Sequence, residues 1–203
     1  MAPDGGGQRV GILGGTFDPF HIGHLVVAQD VLEALEFDRI VFVPAARPPH
    51  KDADDLTPAA LRGRMVRAAV EEDPRMLVSD LELRREGPSY TVDTLESIRS
   101  QHPDDELFLI LGTDQWRTFG DWHKPRRIAK LAQLVVMTRN GEPAVHVDPG
   151  FTDGPPPAFT PVQVTRLDIS STELRERLKS GRSVRYLVPE GARRIIEAGK
   201  LYS

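Results

Sequence analysis

The stretch VGILGGTFDPFHIGHL, residues 10–25, decides the fold of this chain. It joins a short apolar run, through Gly14 and Gly15, to a stretch with a helical pattern. Glycines allow a positive φ and a close backbone approach, and the amides at a helix N-terminus favour phosphate. His21 and His24 are three residues apart, so we predict both imidazoles on one face of the first helical turn. The stretch therefore predicts a strand–turn–helix unit that binds phosphoryl groups.

Outward from this unit, continuous apolar runs alternate with helix-length segments. Such runs indicate a parallel sheet covered on both faces, and right-handed crossovers make the sheet doubly wound. We therefore predict an α/β fold with a Rossmann-like, mostly parallel sheet and helices on both faces. Ligands bind beyond the carboxyl ends of such strands. The predicted strands cover residues 10–13, 39–44, 76–80, 106–112, 134–138 and 162–167. The predicted helices cover residues 22–36, 58–72, 91–101, 171–179 and 189–197.

Length and composition limit the class of protein. The 203 residues suit one domain, which we place at residues 9–203 after a flexible tail at residues 1–8. The chain has no cysteine, which excludes a disulfide framework and a thiol nucleophile. Its apolar runs are shorter than the ~20 residues of a membrane span, and no signal-peptide pattern opens the sequence. We therefore expect a cytoplasmic protein without a membrane partner, whose oligomeric state stays open.

Net charge argues against a nucleic-acid partner, because 26 Lys and Arg residues face 30 Asp and Glu residues, for a net charge of −4. Local charge, however, decides whether a cleft attracts a small polyanion. Residues 44–51 include His50 and Lys51 and contain no acid, and residues 117–130 contain five basic residues against Asp121 alone. We expect an acidic protein with a basic mouth at the carboxyl ends of its strands.

Several other functions of the histidine pair must be weighed. No Gly-Lys-Ser/Thr follows the glycines, so the stretch is not a P-loop, and it lacks the GxGxxG pattern of dinucleotide-binding folds. A His-x-x-His pair also occurs in metal sites, but a third ligand at a suitable spacing is missing. A purely structural function of both histidines also stays open.

Two motifs resemble the signatures of a known family. The string G-G-x-F-D-P-x-H-x-G-H resembles the signature of the HxGH nucleotidyltransferases, and ISSTELR, residues 169–175, is similar to their second signature I-S-x-T-x-x-R. The resemblance implies a Rossmann-like fold and transfer of a nucleoside monophosphate from ATP or CTP, with Mg²⁺ and release of pyrophosphate. Ser171 and Thr172 would then present hydroxyls and amides to the triphosphate, and Arg175 would reach a phosphate. A simple helix cap is the alternative function of this motif.

Four further stretches resemble the nicotinate-mononucleotide adenylyltransferases within that superfamily. They are PAARPPHK at residues 44–51, GPSYTVDTL at 87–95, LGTDQWRTFGDWHKP at 111–125 and VRYLVPEGARRIIEAGKLY at 184–202. The resemblance implies adenylyl transfer from ATP to nicotinate mononucleotide, giving nicotinate adenine dinucleotide and pyrophosphate in NAD biosynthesis. The alternatives are a sister adenylyltransferase with another acceptor, a cytidylyltransferase, or a nucleotide sensor without catalysis.

Together, the residues and the resemblance predict a site. Trp122 would stack on the nicotinate ring, and Thr91 and the His123 amide would donate to its carboxylate, together with His50 nearby. The attacking group is already an anionic phosphate, so no general base is assigned. Asp18 is assigned either to organising the site or to a structural cap, and Trp116 to packing beneath it. No dedicated protein ligand is expected for Mg²⁺, and Asp114 would either serve the ribose of ATP or reach the metal through water. The predicted catalytic residues are His21, His24, Lys51 and Arg175. The predicted ATP-binding residues are Gly14, Gly15, Thr16, Phe17, His21, Gly23, His24, Gly112, Asp114, Arg139, Ile169, Ser171, Thr172 and Arg175.

Overall fold

The computed structural model describes residues 6–48, 56–138 and 148–202. The strands in this part of the chain are β1 (Arg9–Gly15), β2 (Arg39–Pro44), β3 (Met76–Val78), β4 (Glu106–Gly112), β5 (Gln133–Thr138) and β6 (Phe159–Gln163). The helices are α1 (Ile22–Ala34), α2 (Ala59–Val70), α3 (Thr91–Gln101), α4 (Thr113–Arg117), α5 (Pro125–Leu131), α6 (Ser171–Lys179) and α7 (Glu190–Gly199). A 3₁₀ turn covers Phe119–Asp121.

The strands form one six-stranded sheet in the order β3-β2-β1-β4-β5-β6. The pairs β1–β4, β4–β5 and β5–β6 are parallel, with Val10 opposite Leu107 and Leu109 opposite Leu134. Five consecutive residues of β4 are buried, as expected for a strand covered on both faces. The predicted α/β fold with a doubly wound, Rossmann-like sheet is confirmed.

The described residues divide into two compact units. The first unit contains those within Met1–Leu13, Gln29–Val41 and Tyr90–Arg166. The second contains those within Gly14–Ala28, Phe42–Ser89 and Leu167–Ser203. A single domain at residues 9–203 and a flexible tail at residues 1–8 stay predictions.

Polar anchors tie separate segments together in the first unit. The buried Asp105 accepts hydrogen bonds from the Gln8 amide at 2.9 Å and from Arg39 Nη2 at 2.8 Å. Arg99, on α3, donates to the backbone carbonyls of Asp105 at 2.6 Å and Leu131 at 3.0 Å. These two carbonyls belong to no β-strand, so the bonds from Arg99 provide them with partners.

The core of the second unit lies where α2, α6 and α7 meet the segment before α7. Six side chains in it are buried, and Ile169 and Leu187 are among those packed against them. The six are Met65, Leu174, Val184, Val188, Ala192 and Ile196. This apolar contact fixes α6, the helix that carries the second signature.

Several predicted boundaries were wrong. Helix α2 covers Ala59–Val70 rather than residues 58–72, and Pro58 holds its N-cap position. Strand β6 covers Phe159–Gln163 rather than residues 162–167. Proline, here Pro161, disfavours the interior of a sheet because it has no N–H to donate. Strand β6 is an edge strand, where the missing N–H is tolerated. The short helices α4 and α5 were not predicted, because segments of five and seven residues carry little periodicity.

No helix in residues 6–48, 56–138 and 148–202 combines the length and apolar character that crossing a membrane requires. The cytoplasmic location stays a prediction.

Candidate active site

The glycine turn of the second unit differs from its prediction. Neither Gly14 nor Gly15 has a positive φ, and the left-handed conformation falls on Phe17, at φ 53°. A Cβ at Gly15 would lie 2.7 Å from Cε1 of Phe17, so the ring takes the space that the glycine leaves. Phe17 is buried and packs edge-on against Phe20 at 5.4 Å between centroids. Gly15 therefore serves the packing of the turn itself.

The two signature histidines form a stacked pair. Their ring centroids lie 3.7 Å apart with 25° between the planes, so the prediction that they share one face agrees with the geometry. The His21 amide donates to Nδ1 of His24 at 3.1 Å. Because Nδ1 accepts this bond, the proton of a neutral His24 ring sits on Nε2, which becomes a donor. The His24 ring also stacks on Phe20, with 4.9 Å between centroids.

The start of α1 is partly engaged within the protein. A Cβ at Gly23 would lie 3.0 Å from Nδ1 of His21, so this imidazole fills the space that the missing side chain leaves. The Ile22 amide donates to the Leu187 carbonyl at 3.0 Å. The prediction of free amides at this helix end is therefore wrong for Ile22, because the segment before α7 caps it.

The second signature begins α6. Ser170 is the N-cap, its Oγ accepts from the Glu173 amide, and the Glu173 carboxylate accepts from Ser170 in a capping box. Ser171 and Thr172 are therefore first-turn residues, and Ser170 is the cap of this helix. Their amides have no intrahelical acceptor. Ser170 was not predicted, although Ser170 and Glu173 form a recognisable capping-box pattern.

Two hydrogen bonds join the second signature to the first. Ser171 Oγ donates to the Pro19 carbonyl at 2.9 Å, and Arg175 Nη1 donates to the Asp18 carbonyl at 2.7 Å. Arg175 Nη2 also donates to Thr172 Oγ1 at 3.3 Å. The predicted phosphate contact of Arg175 stays a prediction. In the structure, part of the Arg175 guanidinium is hydrogen-bonded to the backbone of the turn.

Asp18 is the buried anchor of that turn. Its Oδ2 accepts from the Thr57 amide at 3.2 Å, and its Oδ1 accepts from the hydroxyl of Tyr202. Burial is the main factor that raises the pKa of Tyr202, so the phenol stays a donor. These bonds favour the structural function of Asp18, the alternative that the sequence left open. They also give the Leu-Tyr ending of the last motif a function at the turn.

Arg62 is a polar residue of this region that sequence reasoning missed. Its side chain is 1% exposed and donates to the Thr16 carbonyl and to three others. Its position in α2 falls among the buried residues Met65, Val66 and Val70. A charged residue at an apolar position of the helical pattern was the signal that could have identified Arg62.

Three of the residues predicted for nicotinate, Thr91, Trp122 and His123, lie in the first unit. Thr91 is the first residue of α3 and Tyr90 holds the N-cap position, so Thr91 is not the cap. The His123 ring stacks on Tyr90 with 4.4 Å between centroids. Trp122 is half-buried, and its ring packs at 56° against Phe119, with 5.4 Å between centroids. Aromatic contacts therefore fix the orientations of the Trp122 and His123 rings.

Gly112 and Asp114 follow β4 in the same unit. The Gly112 amide donates to Gln115 Oε1 at 3.0 Å. The Asp114 side chain is 96% exposed and pairs with Arg117 at 3.2 Å. Trp116 is fully buried, with its ring centroid 4.7 Å from that of Phe159. Among the residues that the structure describes, no three His, Cys, Asp or Glu side chains are grouped to hold a metal ion.

Three of the five basic side chains in segment 117–130 form ion pairs with acids outside the segment. Besides Arg117 with Asp114, Arg126 pairs with Asp153 and Arg127 pairs with Glu96. Asp121 is the one acid within the segment, but folding brings acids from outside it into ion pairs with its arginines. His50, Lys51 and Arg139 lie outside the described residues, and the basic mouth stays a prediction.

Comparison with known proteins identifies relatives of this chain. Residues 12–177 match the Cytidylyltransferase-like family. A probable nicotinate-nucleotide adenylyltransferase of Thermus thermophilus is 48% identical over 195 residues, covering 96% of this chain and 100% of the relative. A probable enzyme of the same name from Geobacillus thermodenitrificans is 42% identical over 194 residues, covering 96% of this chain and 86% of the relative.

Solved structures share the fold. The nicotinic acid mononucleotide adenylyltransferase of Plasmodium falciparum complexed with NaAD has a TM-score of 0.76 at 19% identity, covering 96% of this chain and 97% of that chain. The same enzyme complexed with APC has a TM-score of 0.74 at 19% identity, with the same coverage. The sequence prediction of the family is confirmed: the chain belongs to the Cytidylyltransferase-like family and, within it, to the nicotinate-nucleotide adenylyltransferases.

Proposed function

We propose that this chain transfers the adenylyl group of ATP to nicotinate mononucleotide and releases nicotinate adenine dinucleotide and pyrophosphate, a step of NAD biosynthesis. The observation that carries the proposal is the joining of the two signatures within one compact unit. Ser171 and Pro19, which are 152 positions apart in sequence, share a hydrogen bond, and so do Arg175 and Asp18. A helix cap alone would not need either bond.

In the proposed reaction, a phosphate oxygen of nicotinate mononucleotide attacks the α-phosphorus of ATP. One P–O bond forms, and the bond from the α-phosphorus to the pyrophosphate oxygen breaks. Both partners are anions, so catalysis is mainly positioning and stabilisation of charge. Because His24 Nδ1 accepts from the His21 amide, its Nε2–H is the group that we assign to a phosphoryl oxygen. His21 and Lys51 are assigned to stabilise the same negative charge on the phosphoryl oxygens.

The triphosphate is assigned to the turn and to α6. The turn offers Gly14, Gly15, Thr16 and Phe17, and the first-turn amides of Ser171 and Thr172 lie at the positive end of a helix. Arg175 would add N–H groups beyond the two that it gives to Asp18 and Thr172. Gly23, Arg139 and Ile169 complete the ATP-binding set that we propose.

Mg²⁺ fits the oxygen donors that this chain offers. The exposed carboxylate of Asp114, at the start of α4, is a hard oxygen ligand. We assign Asp114, after Gly112, to the metal through water, the remaining ligands coming from the nucleotide and water. When bound, the metal neutralises charge on the phosphates.

The acceptor is assigned to the first unit. Trp122 offers an aromatic face for the electron-poor nicotinate ring. Thr91 lies in the first turn of α3, where a hydroxyl and an amide favour a carboxylate over a neutral carboxamide. The His123 amide is assigned beside them, and His50, which lies outside the described residues, is assigned to the same substrate.

Pyrophosphate release from ATP and Mg²⁺ tests the proposal. Nicotinate mononucleotide, nicotinamide mononucleotide and phosphopantetheine are compared as acceptors in parallel, with a chelator added to a fourth sample. We expect the highest kcat/KM with nicotinate mononucleotide and no release with the chelator. Preference for either other acceptor would overturn the substrate assignment. ATP binding without release from any acceptor would instead favour a nucleotide sensor.

A further inference from the structure

Arg62 has an unusual set of partners for a buried charge. Its Nη1 donates to the carbonyls of Thr16 and Ala45, both at 2.7 Å. Its Nη2 donates to the Ala46 carbonyl at 3.2 Å, and its Nε donates to the Thr57 carbonyl at 2.8 Å. Four backbone carbonyls from three separate segments of the second unit therefore meet on one guanidinium.

These carbonyls belong to segments that carry predicted site residues. Thr16 directly follows β1 in the glycine turn, and Ala45 and Ala46 directly follow β2. The Ala45 amide also donates to the Gly15 carbonyl at 2.9 Å. Ser89 holds the same segment, because its Oγ accepts from the Ala46 amide at 3.0 Å. The backbone after β2 is thus fixed to the glycine turn and to Ser89.

The energetics of Arg62 argue for more than packing. Burial is the main factor that lowers the pKa of its guanidinium, and the negative charge of Asp18 opposes this effect. Burying a charge is costly, and an apolar side chain of similar volume often stabilises a fold as well or better. An apolar side chain, however, cannot hold several carbonyls at one point. Lysine cannot reproduce the planar fork either.

We propose that Arg62 is a positioning residue for adenylyl transfer, which fixes the backbone at Thr16 and at Ala45–Ala46 in the geometry that the reacting phosphates require. This inference rests on the proposed function. Arg62 acts through the backbone and touches no substrate. Misplacement of a supporting segment by about 1 Å can lower a rate by about 100-fold.

Steady-state kinetics of Arg62→Lys and Arg62→Met test this inference, with Arg99→Lys as the matched control. Arg99 also donates to backbone carbonyls, those of Pro103, Asp105 and Leu131, and none of these three residues is a predicted site residue. Each kcat is measured per folded molecule, at a temperature where circular dichroism shows the variant to be folded. We expect kcat to fall at least tenfold in both Arg62 variants, with each KM changed less than threefold. Arg99→Lys should keep kcat within twofold while its melting temperature also falls.

The outcomes separate this inference from the proposed function. If the unmodified chain makes no nicotinate adenine dinucleotide, the proposed function fails. If it does, and kcat per folded molecule stays within twofold in Arg62→Lys and Arg62→Met, the positioning function is overturned. Equal losses of kcat in Arg62→Lys and Arg99→Lys would overturn it too, and so would failure of both Arg62 variants to fold at any temperature.

Discussion

The two compact units hold their predicted site residues in different ways. In the second unit, hydrogen bonds from partly or fully buried polar groups fix the segments predicted to bind phosphate, as Arg62, Arg175 and Tyr202 show. In the first unit, ring contacts orient the residues predicted to bind the acceptor, with Trp122 against Phe119 and His123 against Tyr90. Charge that develops on phosphates needs donors at fixed distances, whereas a flat ring needs a complementary surface.

The difference predicts how each unit responds to substitution. Removal of one polar atom from the second unit leaves a buried partner unsatisfied, which costs more than the bond itself contributes. Removal of a ring from the first unit loses contact area in proportion to the atoms removed. Four substitutions test this contrast, the first expected to have the largest effect.

His24→Ala removes the Nε2 donor of the second unit. We expect kcat to fall about 100-fold or more, as for loss of one transition-state donor, while the chain stays folded. His24→Gln places an amide nitrogen near Nε2 and should recover part of the loss. Pyrophosphate release and circular dichroism measure the two effects. His102→Ala, at an exposed position after α3, is the control and should leave kcat unchanged. Unchanged turnover in His24→Ala would refute the assignment.

Tyr202→Phe removes the hydroxyl that donates to Asp18. We expect the free energy of unfolding to fall by about 1–2 kcal/mol, because a hydrogen bond to a buried carboxylate is lost. Urea denaturation measures it. Tyr186→Phe is the control, since Tyr186 is 81% exposed.

The difference in unfolding free energy between the unmodified chain and Tyr202→Phe depends on pH. Burial raises the pKa of Tyr202 above its ordinary value of 10.0, so the stabilisation is fully present below pH 10 and is lost as the pH rises beyond it. A difference between the unmodified chain and Tyr202→Phe that vanishes at pH 8 would contradict the hydrogen bond.

Trp122→Ala removes the aromatic face assigned to nicotinate. We expect the KM for nicotinate mononucleotide to rise about tenfold, which corresponds to one stacking contact, and the KM for ATP to change less. Trp122→Phe keeps a ring and should lose only part of the affinity. Steady-state kinetics with each substrate varied in turn provide the measurement, and equal changes in both KM values would argue against stacking.

Thr91→Val removes a hydroxyl from the first turn of α3 and keeps the shape of the side chain. We expect the preference for nicotinate over nicotinamide mononucleotide to fall only about threefold, because the helix amides still favour the carboxylate. Thr91→Ser keeps the hydroxyl and should retain the preference. The ratio of kcat/KM for the two acceptors reports this effect, and a larger loss in Thr91→Ser than in Thr91→Val would exclude the hydroxyl.

Much of the fold followed from local pattern. The predicted strands at residues 39–44 and 106–112 and the helices at residues 91–101 and 171–179 agree with the structure residue for residue. The two strands are strongly apolar and α6 begins with a capping box, so local preferences and packing agree there. Strand β6 and helices α4 and α5 were missed or misplaced, because edge strands and short helices depend on their neighbours.

The sequence by itself determined the family, the sheet and the residue types of the site, since the motifs and the apolar runs are properties of consecutive residues. Only the tertiary structure decided which polar groups meet. Asp18 binds Tyr202, Arg62 gathers four carbonyls, and the imidazole of His21 takes the space above Gly23. The partners of a hydrogen bond lie far apart in the chain, so their pairing follows from the packing of helices and strands and not from any local pattern.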